Sequence, residues 1–303
     1  MEGTNQEDHL DLLAFGFGFS GASIKDLEHL AETSQVRDVV FFGLDQELHR
    51  KFGSSNPGAA SHVRRNTVGM MPWTQLHGAV CHDIGILNAT DPTKAMQDLV
   101  AVNHHISQLD RRPVLIACDH TASLIAALGT TRHCSRKPAY LYFDAHFDLG
   151  LHNPSPETHN GNFVNMLRTT QWIDRIINLG GRSWTSYSSE YACVPGFTSI
   201  PGGVHRCSLA ATIQQLADLK NTPVYVSIDA DVLDPSFAPN VSCPEPFGMP
   251  LEDLFAICEW IGTSCEVLGA DLCEIIPTDQ SIGTEQALMR CIHALFPRQR
   301  PSA

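Results

Sequence analysis

The chain has 303 residues, a formal charge of -13 and only 17% charged residues; that length suits one large α/β domain with a sizeable core. No basic cluster follows a phosphate backbone, so nucleic acid is excluded as the expected partner, and the acidic excess repels anionic membrane surfaces. No apolar run approaches the ~20 residues that cross a bilayer, "MEGTNQEDHLDLL" carries acid where a signal peptide carries basic charge, and ten cysteines without a Cys-x-x-Cys pair read as buried free thiols of a cytoplasmic protein.

Residues 1–37 read as an N-terminal arm, and residues 38–303 as a single catalytic domain with no linker inside it. Within the arm, "GFGFSG" (Gly16–Gly21) lacks a full dinucleotide fingerprint and reads as a turn. Ser23 and Asp26 form a capping-box-like pattern before a short amphipathic helix. From Asp38 onward, apolar runs predict strands at Val39–Gly43, Val114–Cys118, Ala139–Phe143, Ile176–Gly180, Val224–Ile228 and Glu266–Ala270. Between them, Pro92–Asp110, Ser208–Leu219 and Leu251–Gly262 predict helices. Continuous apolar strands alternating with helices predict an α/β fold whose mostly parallel sheet is covered on both faces.

Three predicted strands finish in polar clusters: Asp119 and His120; Asp144, His146 and Asp148; and Asp229, Asp231 and Asp234. Sites in open parallel sheets form outside the carboxyl ends of the strands, so all three clusters belong at one edge. Residues two apart on an extended chain point to the same side. The set His120, Asp144, His146, Asp148, Asp229 and Asp231 combines two imidazoles with about four negative charges, a costly cluster to bury unless cations neutralise it. Two divalent ions would do so. Mixed oxygen and nitrogen donors without cysteine suit manganese first, with nickel, iron or zinc as alternatives. Any one of these aspartates alone would read as a helix cap; Asp234, before Pro235, keeps that reading.

These motifs resemble the ureohydrolase family of arginases, agmatinases, other guanidino hydrolases and formimidoylglutamases. "ACDH" (Ala117–His120) is similar to the family's strand-end His motif, and "DAHFD" and "SIDADVLDPSFAP" (Ser227–Pro239) match its two central motifs in full. "GADLCEIIP" (Gly269–Pro277) resembles its late acidic element, and "NPGAASHVRR" and "HDIGIL" its early loop and second strand. The resemblance covers residues 38–297 and implies an arginase-like three-layer αβα sandwich with two manganese ions bridged by hydroxide. Carried over by motif, one ion is held by His120, Asp144, Asp148 and Asp229, the other by His146, Asp144, Asp229 and Asp231. Asp148 steers the nucleophile and its proton, and Glu274 binds an amino group of a small cationic guanidino or formimino substrate. The family also implies a homo-oligomer, trimeric or hexameric.

The chain departs from the family in its loops. In "SPETHNGNFVNML" (Ser155–Leu167) either His159 or Asn160 takes the family's His position, and Asn162 follows in the same segment. His159 would serve as an acid–base group; Asn160 and Asn162 would contact substrate, because an amide cannot donate a proton near pH 7. "NVSCPEPFGMP" (Asn240–Pro250) is closer to formimidoylglutamases, whereas "LGGRSWTSYSSE" (Leu179–Glu190) is closer to agmatinases. Trp184 stands where arginases place a carboxylate for the α-amino group, and an indole accepts no salt bridge. L-Arginine is therefore disfavoured, and Trp184 becomes either pocket wall or core. An agmatinase-like hydrolase releasing urea leads. The alternatives are formamide release from a formimino compound, a catalytically silent metal binder, and a single-zinc deacetylase.

Overall fold

The computed structural model describes residues 18–19, 22–24, 26–70, 79–87, 89, 91–132, 134–151, 155–183, 194–279 and 283–297. Strands β1 (Ser23–Ile24), β2 (Val39–Leu44), β3 (Cys81–Leu87), β4 (Arg112–Ala117), β5 (Ala139–Phe143), β6 (Arg175–Leu179), β7 (Phe197–Ile200), β8 (Pro223–Asp229) and β9 (Glu266–Cys273) form one sheet. Its order is β1-β3-β2-β4-β9-β8-β5-β6-β7, and all its pairings are parallel.

The central strands are apolar on both faces because both faces are covered. Along β5, Ala139, Leu141 and Phe143 pack in one core with Val226 and Ile228, beneath helices Ala59–Thr67, Leu251–Ser264 and Thr284–Ala294. Tyr140 and Tyr142 point the other way, into a second core with Tyr225 beneath helices Pro92–Gln108, Thr121–Thr131 and Phe163–Arg168. Tyr140 and Tyr225 stack with ring centroids 5.9 Å apart. The architecture is thus the expected three-layer αβα sandwich, and all nine cysteines among the described residues are free.

Two local expectations change. Ser23 starts no helix: Ser23–Ile24 pair with His82–Asp83 as an edge strand, since an open sheet edge offers that backbone a full ladder. Helical turns begin only at Leu27, after Asp26, whose side chain makes no cap bond. The expected helix over Ser208–Leu219 divides into an α-helix, Leu209–Gln215, and a 3-10 turn, Ala217–Leu219. Ser208 does cap it, accepting from the Ala211 N–H at 3.3 Å. Of the segment 16–21, expected to be a turn, only Gly18 and Phe19 are described, and the Phe19 N–H donates to Asp83 at 2.8 Å. No helix among the described residues is long and apolar enough to cross a membrane.

Candidate metal centre

Strands β4, β9, β8 and β5 are consecutive in the sheet, so the residues that follow their carboxyl ends meet. His120 Nδ1 lies 3.1 Å from Asp144 Oδ2, 3.3 Å from Asp148 Oδ2 and 3.3 Å from Asp229 Oδ2. His146 Nδ1 lies 3.0 Å from Asp231 Oδ2 and 3.4 Å from Asp144 Oδ1. Two donor groups made of His and Asp alone result among the described residues, His120–Asp144–Asp148 and Asp144–His146–Asp231, each with its atoms within 4.8 Å of one another. Asp144 belongs to both. Asp229 adjoins the first and is tied to the second by accepting from the Asp231 N–H at 2.9 Å.

The donor set fits divalent cations. His120 Nδ1 and Asp144 Oδ2 are buried and, although 3.1 Å apart, make no well-directed hydrogen bond, an arrangement that costs free energy unless something binds there. Burial and the neighbouring Asp231 and Asp144 push Asp229 well above the usual carboxylate range. Burial and Asp144 push Asp148 up to about 7. Burial opposes charge on His120, but the carboxylates of Asp144, Asp148 and Asp229 hold its pKa well above the ordinary value. Burial likewise opposes charge on His146, and Asp231, Asp144 and Glu245 outweigh it. These are the marks of like charges crowded together in low dielectric. Asp148 and Glu274 also carry positive φ, 49° and 66°, strain of ~1–3 kcal/mol each that recurs at functional sites. Cys273 Sγ lies within 4.8 Å of donor atoms of His120 and Asp229, but burial pushes its thiol far up, and a protonated thiol suits a hard cation poorly.

The supports around the centre are specific. His120 Nε2 is 2.9 Å from Ser227 Oγ, and that hydroxyl reaches Asp271 Oδ1 at 2.6 Å, so Nδ1 is left to face the carboxylates. The Phe163 ring packs 4.4 Å from the His120 ring, centroid to centroid. Tyr142 donates its O–H to the Phe147 carbonyl at 2.7 Å, fixing the loop that carries His146 and Asp148. Asp119 is no donor to the centre: it accepts from the Leu48 and Thr121 N–H groups at 2.6 and 2.9 Å. Asp234 is a turn cap that accepts from the Ser236 and Gly248 N–H groups at 3.0 Å each. Ser227→Ala is expected to weaken metal binding by ~10–100-fold while preserving the fold, the scale of losing an outer partner of a ligating histidine. Calorimetric titration with Mn2+ checks this; unchanged affinity counts against the relay.

A cleft of about 490 Å³ opens over the centre, lined by His146, Asp148, Asp229, Asp231 and Glu274 and by Phe52, Leu151 and Cys243 among others. Glu274 is 3% exposed, and its charge is already partnered. Oε1 accepts from the His120 N–H at 2.9 Å; Oε2 takes Arg50 Nη1 at 2.8 Å and the Ser242 hydroxyl. Arg50 is held in turn by Asn56 and Glu47. Sequence reasoning missed Arg50, because nothing in the loop after β2 marks one cation as turned inward.

The loop Ser155–Asn162 also takes a definite form. Asn160 and Gly161 line the cleft, but Asn160 Oδ1 accepts from the Lys51 and Phe52 N–H groups and its amide donates to the Phe52 carbonyl. His159 is not among the lining residues. Its ring meets Phe52 edge-on at 5.6 Å, and Nδ1 accepts from the Gly161 N–H at 3.1 Å. Asn162 bonds the His159 N–H and the Glu157 carbonyl, organising the loop. Trp184 lies outside the described residues.

Residues 37–296 match the sequence model of the Arginase family. A formimidoylglutamase of Nocardia farcinica is 28% identical over 196 residues, covering 62% of this chain and 63% of that relative, less than two thirds of its length. An agmatinase of Neisseria gonorrhoeae is 26% identical over 234 residues, covering 72% of this chain and 73% of the relative. The crystal structure of a hypothetical agmatinase from Burkholderia thailandensis superposes with a TM-score of 0.77 at 24% identity, covering 92% of this chain and 88% of that one, a likeness of fold. With that match and a strand-end centre of this form, the chain belongs to the Arginase family, whose members hydrolyse C–N bonds of guanidino and amidino compounds.

Proposed function

We propose that this protein is a dinuclear-metal hydrolase that cleaves a guanidino compound and releases urea, as an agmatinase does. The observation that carries the reading is the meeting of two imidazoles and four carboxylates beneath a cleft, with buried His120 Nδ1 facing three carboxylates at 3.1–3.3 Å and making a well-directed hydrogen bond to none of them. His120, Asp144, Asp148 and Asp229 would hold one cation, and His146, Asp144, Asp229 and Asp231 the other. The donors suit manganese first, with nickel the alternative. When bound, such a pair supplies Lewis acidity that yields hydroxide from water near neutral pH. Asp148, on the cleft wall, takes the proton released and returns it to the leaving amine. Glu274 orients the planar amidine. With Arg50 balancing its charge, it does so by directed hydrogen bonds more than by net attraction. His159 is the second acid–base candidate, and reaching substrate requires its ring to leave Phe52.

The charge of the cleft favours a guanidino substrate with a neutral or cationic tail. Among the described residues that line it there is no Lys or Arg, which supports a neutral or cationic tail over a dicarboxylate one. A formimino substrate remains the second reading, supported by the loop Val241–Pro244 and by the similarity to a formimidoylglutamase. Family membership supports a cytoplasmic homo-oligomer, trimeric or hexameric.

The test joins elemental analysis to a product screen with manganese- and nickel-loaded protein. The panel is agmatine, arginine, guanidinobutyrate, guanidinopropionate, guanidine and formiminoglutamate. Two metals per chain with urea from one guanidino compound is the expected result. Formamide release would move the assignment to the second reading. One metal per chain or none would overturn the dinuclear mechanism.

A further inference from the structure

We propose that Glu245 is a positioning residue for His146, and that through it the metal position nearer the cleft is tuned separately from the buried one. The inference rests on the dinuclear reading of the site.

The two metal-facing histidines are held by different chemistry. His120 is 1% exposed and leans on a hydroxyl, Ser227, backed by the buried Asp271. The His146 side chain is 22% exposed; Nδ1 faces Asp231 and Asp144, and Nε2 faces Glu245 Oε1 at 3.6 Å. A carboxylate against the far nitrogen of a ligating imidazole fixes the ring's orientation and raises its basicity. Glu245 reaches His146 from the loop after β8, not from the DAHFD segment itself.

That loop is anchored by one buried guanidinium. Arg182 Nη2 donates to the carbonyls of Asp231, Leu233 and Glu245 at 2.7, 3.2 and 2.8 Å. Its Nη1 donates to the Val232 carbonyl at 3.1 Å, and its Nε to the Pro246 carbonyl at 3.1 Å. The Arg182 and Ser183 N–H groups bond the Ala145 carbonyl, one residue before His146, at 2.9 and 3.0 Å. Arg182 therefore locks into one unit the backbone before His146, the strand end bearing Asp231 and the loop bearing Glu245. The partner on each side of the His146 ring is placed by the same cation.

Glu245 also lines the cleft, so a competing role is to bind the substrate's tail. The two roles separate in metal binding measured without substrate. Full-length protein, stripped of metal, is titrated with Mn2+ by calorimetry as wild type, Glu245→Gln and Glu245→Asp. The expected result is two sites in wild type, with one weakened ~10–100-fold in Glu245→Gln and the other unchanged, and partial recovery in Glu245→Asp. Melting in EDTA at the wild-type temperature shows that the loss is not one of folding. If Glu245→Gln does not fold, the aspartate variant, shorter by one methylene, carries the same comparison. Both sites at wild-type affinity, or both weakened equally, overturns the positioning role and leaves the dinuclear reading intact. Fewer than two sites in wild type overturns the dinuclear reading itself, and this inference with it.

Discussion

Asparagine at Asp144 is expected to lower kcat/KM by at least ~10³-fold and to leave the purified protein with at most one metal per chain. Outer partners of a ligating histidine are worth ~10–100-fold, and Asp144 itself belongs to both donor groups. Its Oδ2 is 3.1 Å from His120 Nδ1 and its Oδ1 is 3.4 Å from His146 Nδ1. The amide keeps the shape, so the two cores stay packed, but it loses the charge and turns one acceptor into a donor. Metal analysis and turnover on the same preparation check this. Activity within tenfold of wild type with two metals retained would remove Asp144 from the bridging position. Asp234→Asn is the contrast: it lies at a solvent-facing turn, bonded to Ser236 and Gly248, and is expected to keep full activity.

Metal-stripped protein is expected to lose stability steadily between pH 5 and pH 8, and bound Mn2+ to reverse that loss. The sign follows from proton linkage. Asp148 and Asp229 have raised pKa values in the folded chain, so above pH ~4 the folded state holds protons that the unfolded chain has released. Stability therefore falls as pH rises. His120 and His146 are also raised; their contribution is full below ~6.5 and is lost as pH climbs through the folded values. Burial opposes the charge of Asp144, but His120 and His146 hold its pKa low, so its stabilising term is lost only in acid below ~4. Metal ions replace these protons, and their affinity grows with pH. At ~1,000 times the Kd, two sites add about 8 kcal/mol, a rise in Tm of order 10–20 °C. Melting curves with and without EDTA at pH 5, 6.5 and 8 should show a gap that widens with pH. A gap that narrows would contradict a carboxylate-dominated centre.

The parts of this protein that repeat a simple pattern were readable one residue after another. β5 was bounded correctly because five buried residues end abruptly in polar ones, and Asp144, His146 and Asp148 could be placed from the end of that strand. Ser227 was within reach by the same alternation, two residues before Asp229, but a serine carries no chemical flag until Asp271 is seen behind it. The capping pattern at Ser23 misled because local spacing cannot show that β3 offers the segment an edge to pair with. Phe52, over a hundred positions away in the chain, packs against the His159 ring and accepts from the Asn160 amide, contacts that local spacing around the two residues could not show.

The sequence by itself determined the layered α/β plan and the strand ends that bear the acids and imidazoles, because burial periodicity and ligand chemistry are local properties of a strand and the turn after it. Tertiary structure alone decided that Arg50 neutralises Glu274 and that Arg182 joins Ala145, Asp231 and Glu245. Those contacts bridge loops far apart in the chain. A long cationic side chain can turn to solvent or inward, and which it does depends on the carbonyls and carboxylates that folding gathers around it.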